Sequence, residues 1–169
     1  MPITRMNHAV LYVRDATRTA AFYREVLDFT VVMQLGSRAY FLQAPGSTND
    51  HDLGLFEVGA GAAASAAGRG SVGLYHIAWE VDTLDELERI SGRLAERDAL
   101  VGATDHGTTK ALYAHDPDGL EFEVCWLVPA ALLTPDMRER MAPLDIATEK
   151  VRFGGSTRGG VGVSVPAAV

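Results

Sequence analysis

Along the chain, apolar residues alternate at period two, switch to helical spacing and then return to alternation, and this cycle occurs twice. Met6 to Val13 (MNHAVLYV) reads as a strand with Met6, His8, Val10 and Tyr12 on one face. Asp15 offers an N-cap for a helix from about Ala16 to Leu27, whose bulky set Phe22, Tyr23, Val26 and Leu27 defines the buried side. Strands follow at Thr30 to Gln34 and Arg38 to Gln43, divided by Gly36-Ser37, and His51 to Val58 (HDLGLFEV) closes the cycle. The second cycle opens with a strand at Leu74 to Val81 (LYHIAWEV). Asp82 or Thr83 caps a helix reaching about Glu96, and strands are predicted at Leu100 to Gly102, Lys110 to His115 and Leu120 to Leu127. Between the last two, Asp116-Pro117-Asp118-Gly119 is a turn, since proline presets its second position and glycine tolerates a left-handed one.

Superposing His8 on His76, an offset of 68, also brings Val13 onto Val81 and aligns the two helices. The chain therefore reads as a duplicated β-α-β-β-β unit. Such a unit cannot bury its sheet face well alone, which predicts an α+β fold of two tandem βαβββ modules forming one concave, barrel-like mixed sheet. The expected layout is one domain over residues 1-130, with module one at about 5-58, a Gly/Ala/Ser-rich flexible linker at 59-72 and module two at about 73-130. Residues 131-169 form a C-terminal extension outside the repeat. Pro135 to Leu144 suggests a short charged helix there, and Gly154 to Val169 has a flexible, linker-like composition.

Composition narrows the function classes. Of 169 residues 47% are hydrophobic and 22% charged, ordinary for a globular chain, and the net charge of −7 disfavours nucleic acid and anionic membrane surfaces as partners. No apolar run reaches the roughly 20 residues of a membrane span, and no basic-then-apolar leader opens the sequence, so a soluble cytoplasmic protein is expected. The lone Cys125 allows no internal disulfide and reads as a small buried strand residue.

Candidate chemistry gathers on the last hairpin and on the repeated histidines. On the returning strand Glu121, Glu123 and Cys125 share one face and Leu120, Phe122, Val124 and Trp126 the other. A carboxylate turned into a sheet needs a counter-charge, a hydrogen-bond network or a metal; solvent is the ordinary alternative. Each histidine taken singly reads as a hydrogen-bonded core residue. His8 and His76 at equivalent positions of two modules, with Glu123 on the last strand, are different: two imidazoles and a carboxylate form the facial triad that suits non-heme Fe(II), with Mn(II) as substitute.

The paired modules, the strand-borne His8 and His76, and the DPDG turn leading to Glu123 resemble the vicinal oxygen chelate superfamily of glyoxalases, bleomycin-resistance proteins and dioxygenases, over about Arg5 to Trp126. His51 in HDLGLF, His106 in DHG and Tyr113 in LYAHDPDG make the likeness closest to extradiol ring-cleaving dioxygenases of the catechol 2,3-dioxygenase kind. That resemblance implies a metal held by His8, His76 and Glu123, with Fe(II) as cofactor, a catechol-like substrate chelated through both oxygens, and O2 as co-substrate. It further implies catalytic roles for His51, in moving a proton, and for His106 and Tyr113, in hydrogen-bonding the substrate oxygens, and a homodimer, as short members commonly pair. Leu120 stands where the family more often has Asn, and the His51 to His76 interval is longer than usual. In the glyoxalase branch a glutamate on the last strand of module one is a fourth ligand; here Gly54 aligns with it, and Glu57 could serve only with a register shift. The alternatives are a metal-dependent glyoxalase- or epimerase-like isomerase or lyase, and a non-catalytic bleomycin-resistance-type binding protein. His115, near the turn, is expected to meet solvent.

Overall fold

The computed structural model describes residues 2–164 apart from Thr4 and Arg69. Among the described residues, nine strands and four α-helices follow the order β1 (Ala9–Val13), α1 (Ala16–Leu27), β2 (Thr30–Leu35), β3 (Ala39–Gln43), β4 (Leu53–Glu57), β5 (His76–Val81), α2 (Leu84–Ala95), β6 (Leu100–Asp105), β7 (Thr109–His115), β8 (Glu121–Leu127), β9 (Ala142–Pro143), α3 (Ile146–Phe153) and α4 (Val161–Ser164). The strands divide into a four-stranded sheet of order β1-β4-β3-β2 and a five-stranded sheet of order β5-β8-β7-β6-β9. Leaving β9 aside, the two orders are the same, with one parallel pair joining the first and last strands of each unit and antiparallel pairs elsewhere. The duplicated βαβββ reading of the sequence is the observed topology.

Two compact units result, residues 1–65 with 116–119, and residues 66–115 with 120–169. In the first, α1 begins where the Asp15 carboxylate accepts from the Arg18 backbone N–H and ends at Asp28 in the left-handed conformation. Its Ala20, Tyr23, Val26 and Leu27 are buried and form one core with Leu11, Val13, Leu42, Leu53 and Leu55 from the sheet. The hairpin turn closes through a bond from the Gly119 N–H to the Asp116 carbonyl (3.0 Å), with Gly119 at φ +82°. Its Asp118 accepts from the Arg14 backbone N–H (2.8 Å), Arg14 Nη1 (3.1 Å) and Arg18 Nη2 (3.0 Å).

In the second unit Thr83, not Asp82, caps α2 by accepting from the Glu86 N–H. Leu84, Leu87, Ile90 and Leu94 bury one face of that helix, while Leu112, Phe122, Val124 and Trp126 bury one face of the sheet. The extension differs from its sequence reading. Pro135–Glu139 is a 3-10 helix and not the start of an α-helix to Leu144, because the chain then extends into β9, which pairs with β6. The helix α3 was not foreseen. Residues 154–164, linker-like by composition, are tied back by bonds from Trp126 Nε1 to the Thr157 carbonyl (3.2 Å), the Gly159 N–H to the Asp82 carbonyl (2.8 Å) and the Val161 N–H to Glu80 (3.0 Å). The end of that stretch, residues 165–169, lies outside the described residues. No helix among the described residues is long and apolar enough to cross a membrane.

Candidate functional site

Two of the six residues singled out in the sequence belong to the first unit, and they meet there. His8 lies one residue before β1, and its ring meets that of His51 at a tilt of 36° with centroids 4.4 Å apart. The contact is built locally: the Ala9 N–H bonds the Asp52 carbonyl (3.0 Å), and Asn49 Nδ2 donates to the Asn7 carbonyl (2.8 Å), so the lead-ins to β1 and β4 run side by side. Buried Asp52 organises the loop before β4, accepting from the Ala44 N–H (2.8 Å), Ser47 Oγ (2.8 Å) and Asn49 Nδ2 (2.7 Å). Phe41 sets its ring edge-on to His51 at 5.2 Å. Asp50 Oδ2 lies 3.1 Å from His51 Nδ1, and that hydrogen bond holds the Asp50 carboxyl below its ordinary value.

The other four meet in the second unit. Parallel pairing of β5 with β8 sets His76 opposite Glu121 and Ala78 opposite Glu123, and antiparallel pairing of β7 with β8 sets Tyr113 opposite Glu123. Because side chains alternate, His76, Tyr113, Glu121 and Glu123 all project from one face. His76 Nε2 lies 3.2 Å from Glu123 Oε2, which supplies the partner that a buried carboxylate requires. The Tyr113 ring sits edge-on to His76 at 5.8 Å, the Tyr75 ring lies 4.7 Å from His76, and Tyr113 Oη is 2.9 Å from His106 Nε2. Burial, then the negative charge of Glu123, push the Tyr113 phenol up to about 12, so it is a neutral hydrogen-bond donor at ordinary pH. Cys125 on the same face is also pushed up to about 12, by burial and then by Glu123 and Glu80, which leaves it an inert thiol. His115 is half-exposed and stands 3.7 Å from Glu121 Oε2, away from the Tyr113 contacts.

The register also fixes what the first unit lacks. With the offset of 68, Val10 stands for Ala78, and Val10 pairs with Gly54 as Ala78 pairs with Glu123. Gly54 is thus the structural counterpart of Glu123, and no carboxylate occupies that position. Glu57 projects from the opposite face, where its Oε2 accepts from the Ala16 N–H at 3.3 Å.

The capacity to hold a metal rests on imidazoles and a carboxylate, the donors that Fe(II) and Mn(II) take. His8 Nδ1 contacts Asn7 Oδ1 at 2.7 Å, which turns its Nε2 away for ligation, whereas His76 faces Glu123 Oε2 through Nε2 (3.2 Å) and its buried Nδ1 makes no hydrogen bond among the described residues, lying 3.9 Å from Glu121 Oε1. Among the described residues, no cluster of three or more His, Cys, Asp or Glu side chains is gathered around one point.

A group of charges that sequence reasoning missed lies behind this face. Lys110 is fully buried, hydrogen-bonds Asp105 and the Gly107 carbonyl (3.2 Å) and ion-pairs with Glu149 Oε2 at 2.9 Å, while Arg140 Nε contacts Asp105 Oδ2 at 2.5 Å. Alternation carried the signal: Lys110, Leu112 and Ala114 share the face of β7 opposite Tyr113, so a lysine there had to find carboxylates.

Comparison with known proteins agrees with the fold. The chain is 32% identical over 121 residues to the catechol-2,3-dioxygenase of Bacillus subtilis (strain 168), a match covering 72% of this chain and 41% of that protein, so the chain spans less than half of its relative's length. Among solved structures, a glyoxylase/bleomycin resistance protein/dioxygenase domain from Frankia sp. EAN1pec superposes with a TM-score of 0.60 at 21% identity, covering 73% of this chain and 92% of that one. The lactoylglutathione lyase of Agrobacterium tumefaciens gives a TM-score of 0.56 at 23% identity over 74% and 95% of the two chains. A fosfomycin resistance protein from Listeria monocytogenes, in complex with Mn(II) and 1S,2S-dihydroxypropylphosphonic acid, gives 0.57 at 20% identity over 81% and 96%. The model of one family matches residues 5–124, which take in both βαβββ units up to the Glu123 strand, and the chain belongs to that family, the glyoxalase/bleomycin resistance protein/dioxygenase superfamily.

Proposed function

We propose that the chain is an extradiol dioxygenase that opens the ring of a catechol-like aromatic with O2, using Fe(II) held by His8, His76 and Glu123. The observation that carries this reading is the run of contacts on one sheet face from Glu123 to His76 (3.2 Å), to the Tyr113 ring (5.8 Å) and from Tyr113 Oη to His106 (2.9 Å). It sets a neutral phenol donor and a second imidazole beside a histidine–carboxylate pair. The relative named catechol-2,3-dioxygenase supports it, and Gly54 in place of a carboxylate weighs against a four-ligand glyoxalase-type centre.

The chemistry that a bound Fe(II) supplies is a path for electrons from a chelated catechol to O2, a reaction that is spin-forbidden and slow without it. Mn(II) fits the same donors. The protein's own groups bind, orient and move protons. Tyr113, neutral across the working range, donates to a catechol oxygen and biases which hydroxyl loses its proton. His106 Nε2, bonded to Tyr113 Oη, holds that phenol in place. His51, with Nδ1 on Asp50 and Phe41 against its ring, keeps Nε2 for taking and returning a proton, work suited to an imidazole. We further propose a homodimer.

Oxygen uptake by Fe(II)-loaded protein on addition of catechol, substituted catechols or 2,3-dihydroxybiphenyl tests the reading. Uptake with a coloured ring-opened product, abolished in His76→Ala, is expected. Stoichiometric, His76-dependent metal binding with no uptake across the panel would overturn ring cleavage in favour of an oxygen-independent metal enzyme, and failure to bind metal would favour a ligand-sequestering protein.

A further inference from the structure

Lys110 has no role in the proposed chemistry, yet it is the most deeply buried charge in the second unit, at 0% exposure. Removing an ammonium from water costs several kcal/mol, so such a residue persists only where its partners return that energy. Here the partners come from two directions. Asp105 and the Gly107 carbonyl flank His106 in the chain, whereas Glu149 lies on α3 and the Phe153 ring, 5.5 Å from Nζ, closes the same helix. Asp105 in turn accepts from the Gly107 N–H (2.8 Å) and pairs with Arg140.

The turn that carries His106 is thereby gripped on both sides. Its backbone bonds run from the His106 N–H to the Thr109 carbonyl (2.9 Å) and from the Thr108 N–H to the His106 carbonyl (2.9 Å). Gly107 adopts φ +75°, and a Cβ there would fall 1.7 Å from the Met137 carbonyl oxygen, so the 3-10 helix of the extension lies directly on the turn. The repeat offers no counterpart to Met137, Arg140, Glu149 and Phe153, because all four lie past the second βαβββ unit.

We propose that the C-terminal extension is a positioning element for His106, with Lys110 as the residue that transmits it: the ammonium, anchored by Glu149, clamps Asp105 and Gly107 on either side of His106 and so holds the imidazole against Tyr113. Lys110 and Glu149 are positioning residues and touch no substrate. That His106 then serves ring cleavage rests on the function proposed above, but the positioning itself does not.

The test uses the full chain as wild type, as Lys110→Met/Glu149→Gln and as Glu149→Gln alone. The double variant removes one charge of each sign and leaves Asp105 paired with Arg140, so it retains a balanced interior; the single variant serves if the double does not fold. Imidazole 1H–15N correlation spectra, with the His106 signals assigned by their loss in His106→Asn, read the tautomer directly. Wild type should show one His106 tautomer, consistent with its fixed bond to Tyr113. The variants should show averaged His106 nitrogen shifts while the His8 and His51 signals stay in place. With an active catechol, kcat should fall roughly ten- to a hundred-fold with KM changed less than two-fold, the signature of a misplaced group. His106 signals unchanged in a folded variant would overturn the proposal. If wild type opens no ring, the spectra still decide whether the extension positions His106, and the two ideas fail separately.

Discussion

At the scale of single residues, Tyr113 concentrates the site's electrostatics. Its hydroxyl meets His106, its ring meets His76, and Glu123 lies opposite it across the β7/β8 ladder. Burial first, and then surrounding negative charge, disfavour the phenolate and raise its pKa to about 12. Since the folded value lies above the ordinary one near 10, the neutral phenol's contribution to stability is full below about pH 10 and is lost as pH rises through about 12. Tyr23, wholly buried near Asp116, is also raised well above its ordinary value. Of the five tyrosines, two should therefore ionise late in an ultraviolet absorbance titration, and Tyr113→Phe should remove the one near pH 12. A Tyr113 that titrates with the exposed tyrosines would show that its surroundings are wetter than the structure implies. Spacing alone placed Tyr113 and Glu123 on adjacent strands of one hairpin, but a shift that depends on burial was not legible there.

At the scale of elements, caps and turns behaved locally, so sequence located them well. Helix α1 spans the predicted Ala16–Leu27, and the Asp116–Gly119 turn closes with glycine at positive φ, as the proline and glycine spacing requires. The 105–109 turn was not legible, because its geometry depends on the extension. Gly107 and Gly119 separate the two effects: both have positive φ, but nothing lies within 4 Å of a Cβ built on Gly119, whereas one on Gly107 meets the Met137 carbonyl. Alanine at Gly119 should cost only the left-handed conformation, roughly 1–2 kcal/mol. Gly107→Ala should cost more and lower Tm by at least about 4 °C beyond the Gly119→Ala value, given about 2–4 °C per kcal/mol for a chain of this size. Equal melting temperatures for the two variants would mean that the 3-10 helix yields freely at this contact.

At the scale of the whole molecule, the duplicated unit and the added extension obey different rules. Each βαβββ unit pairs its first and last strands in parallel and buries one helix on one sheet face. The extension instead adds β9 to the β6 edge and joins the second unit through buried charge. Charge that is buried and balanced contributes little net stability but is costly to unbalance. Lys110→Met alone should therefore destabilise by about 3–5 kcal/mol, leaving Asp105 to Arg140 and Glu149 only to the more distant, part-exposed Arg152 (3.9 Å), whereas adding Glu149→Gln should recover a large part of that loss. Chemical denaturation of the two single variants and the double measures the coupling; strict additivity would contradict a shared ion pair.

Sequence by itself determined the order of elements, the face on which each side chain lies and the duplication, because period-two and period-3.6 patterns, helix caps and the DPDG turn are local properties of the chain. Resemblance to the glyoxalase branch implied that Gly54 stands where a fourth ligand would be, and the strand pairing, not the offset of 68, makes it the counterpart of Glu123. Tertiary structure decided the rest. The 3.2 Å contact of His76 with Glu123 exists because β5 pairs with β8 across most of the second unit, and the ring contact of His8 with His51 exists because β1 pairs with β4. The extension was legible least of all: α3 has a weak amphipathic pattern of its own, and Glu149 gains its meaning only from a lysine far back in the chain, through a buried pairing that no local pattern records.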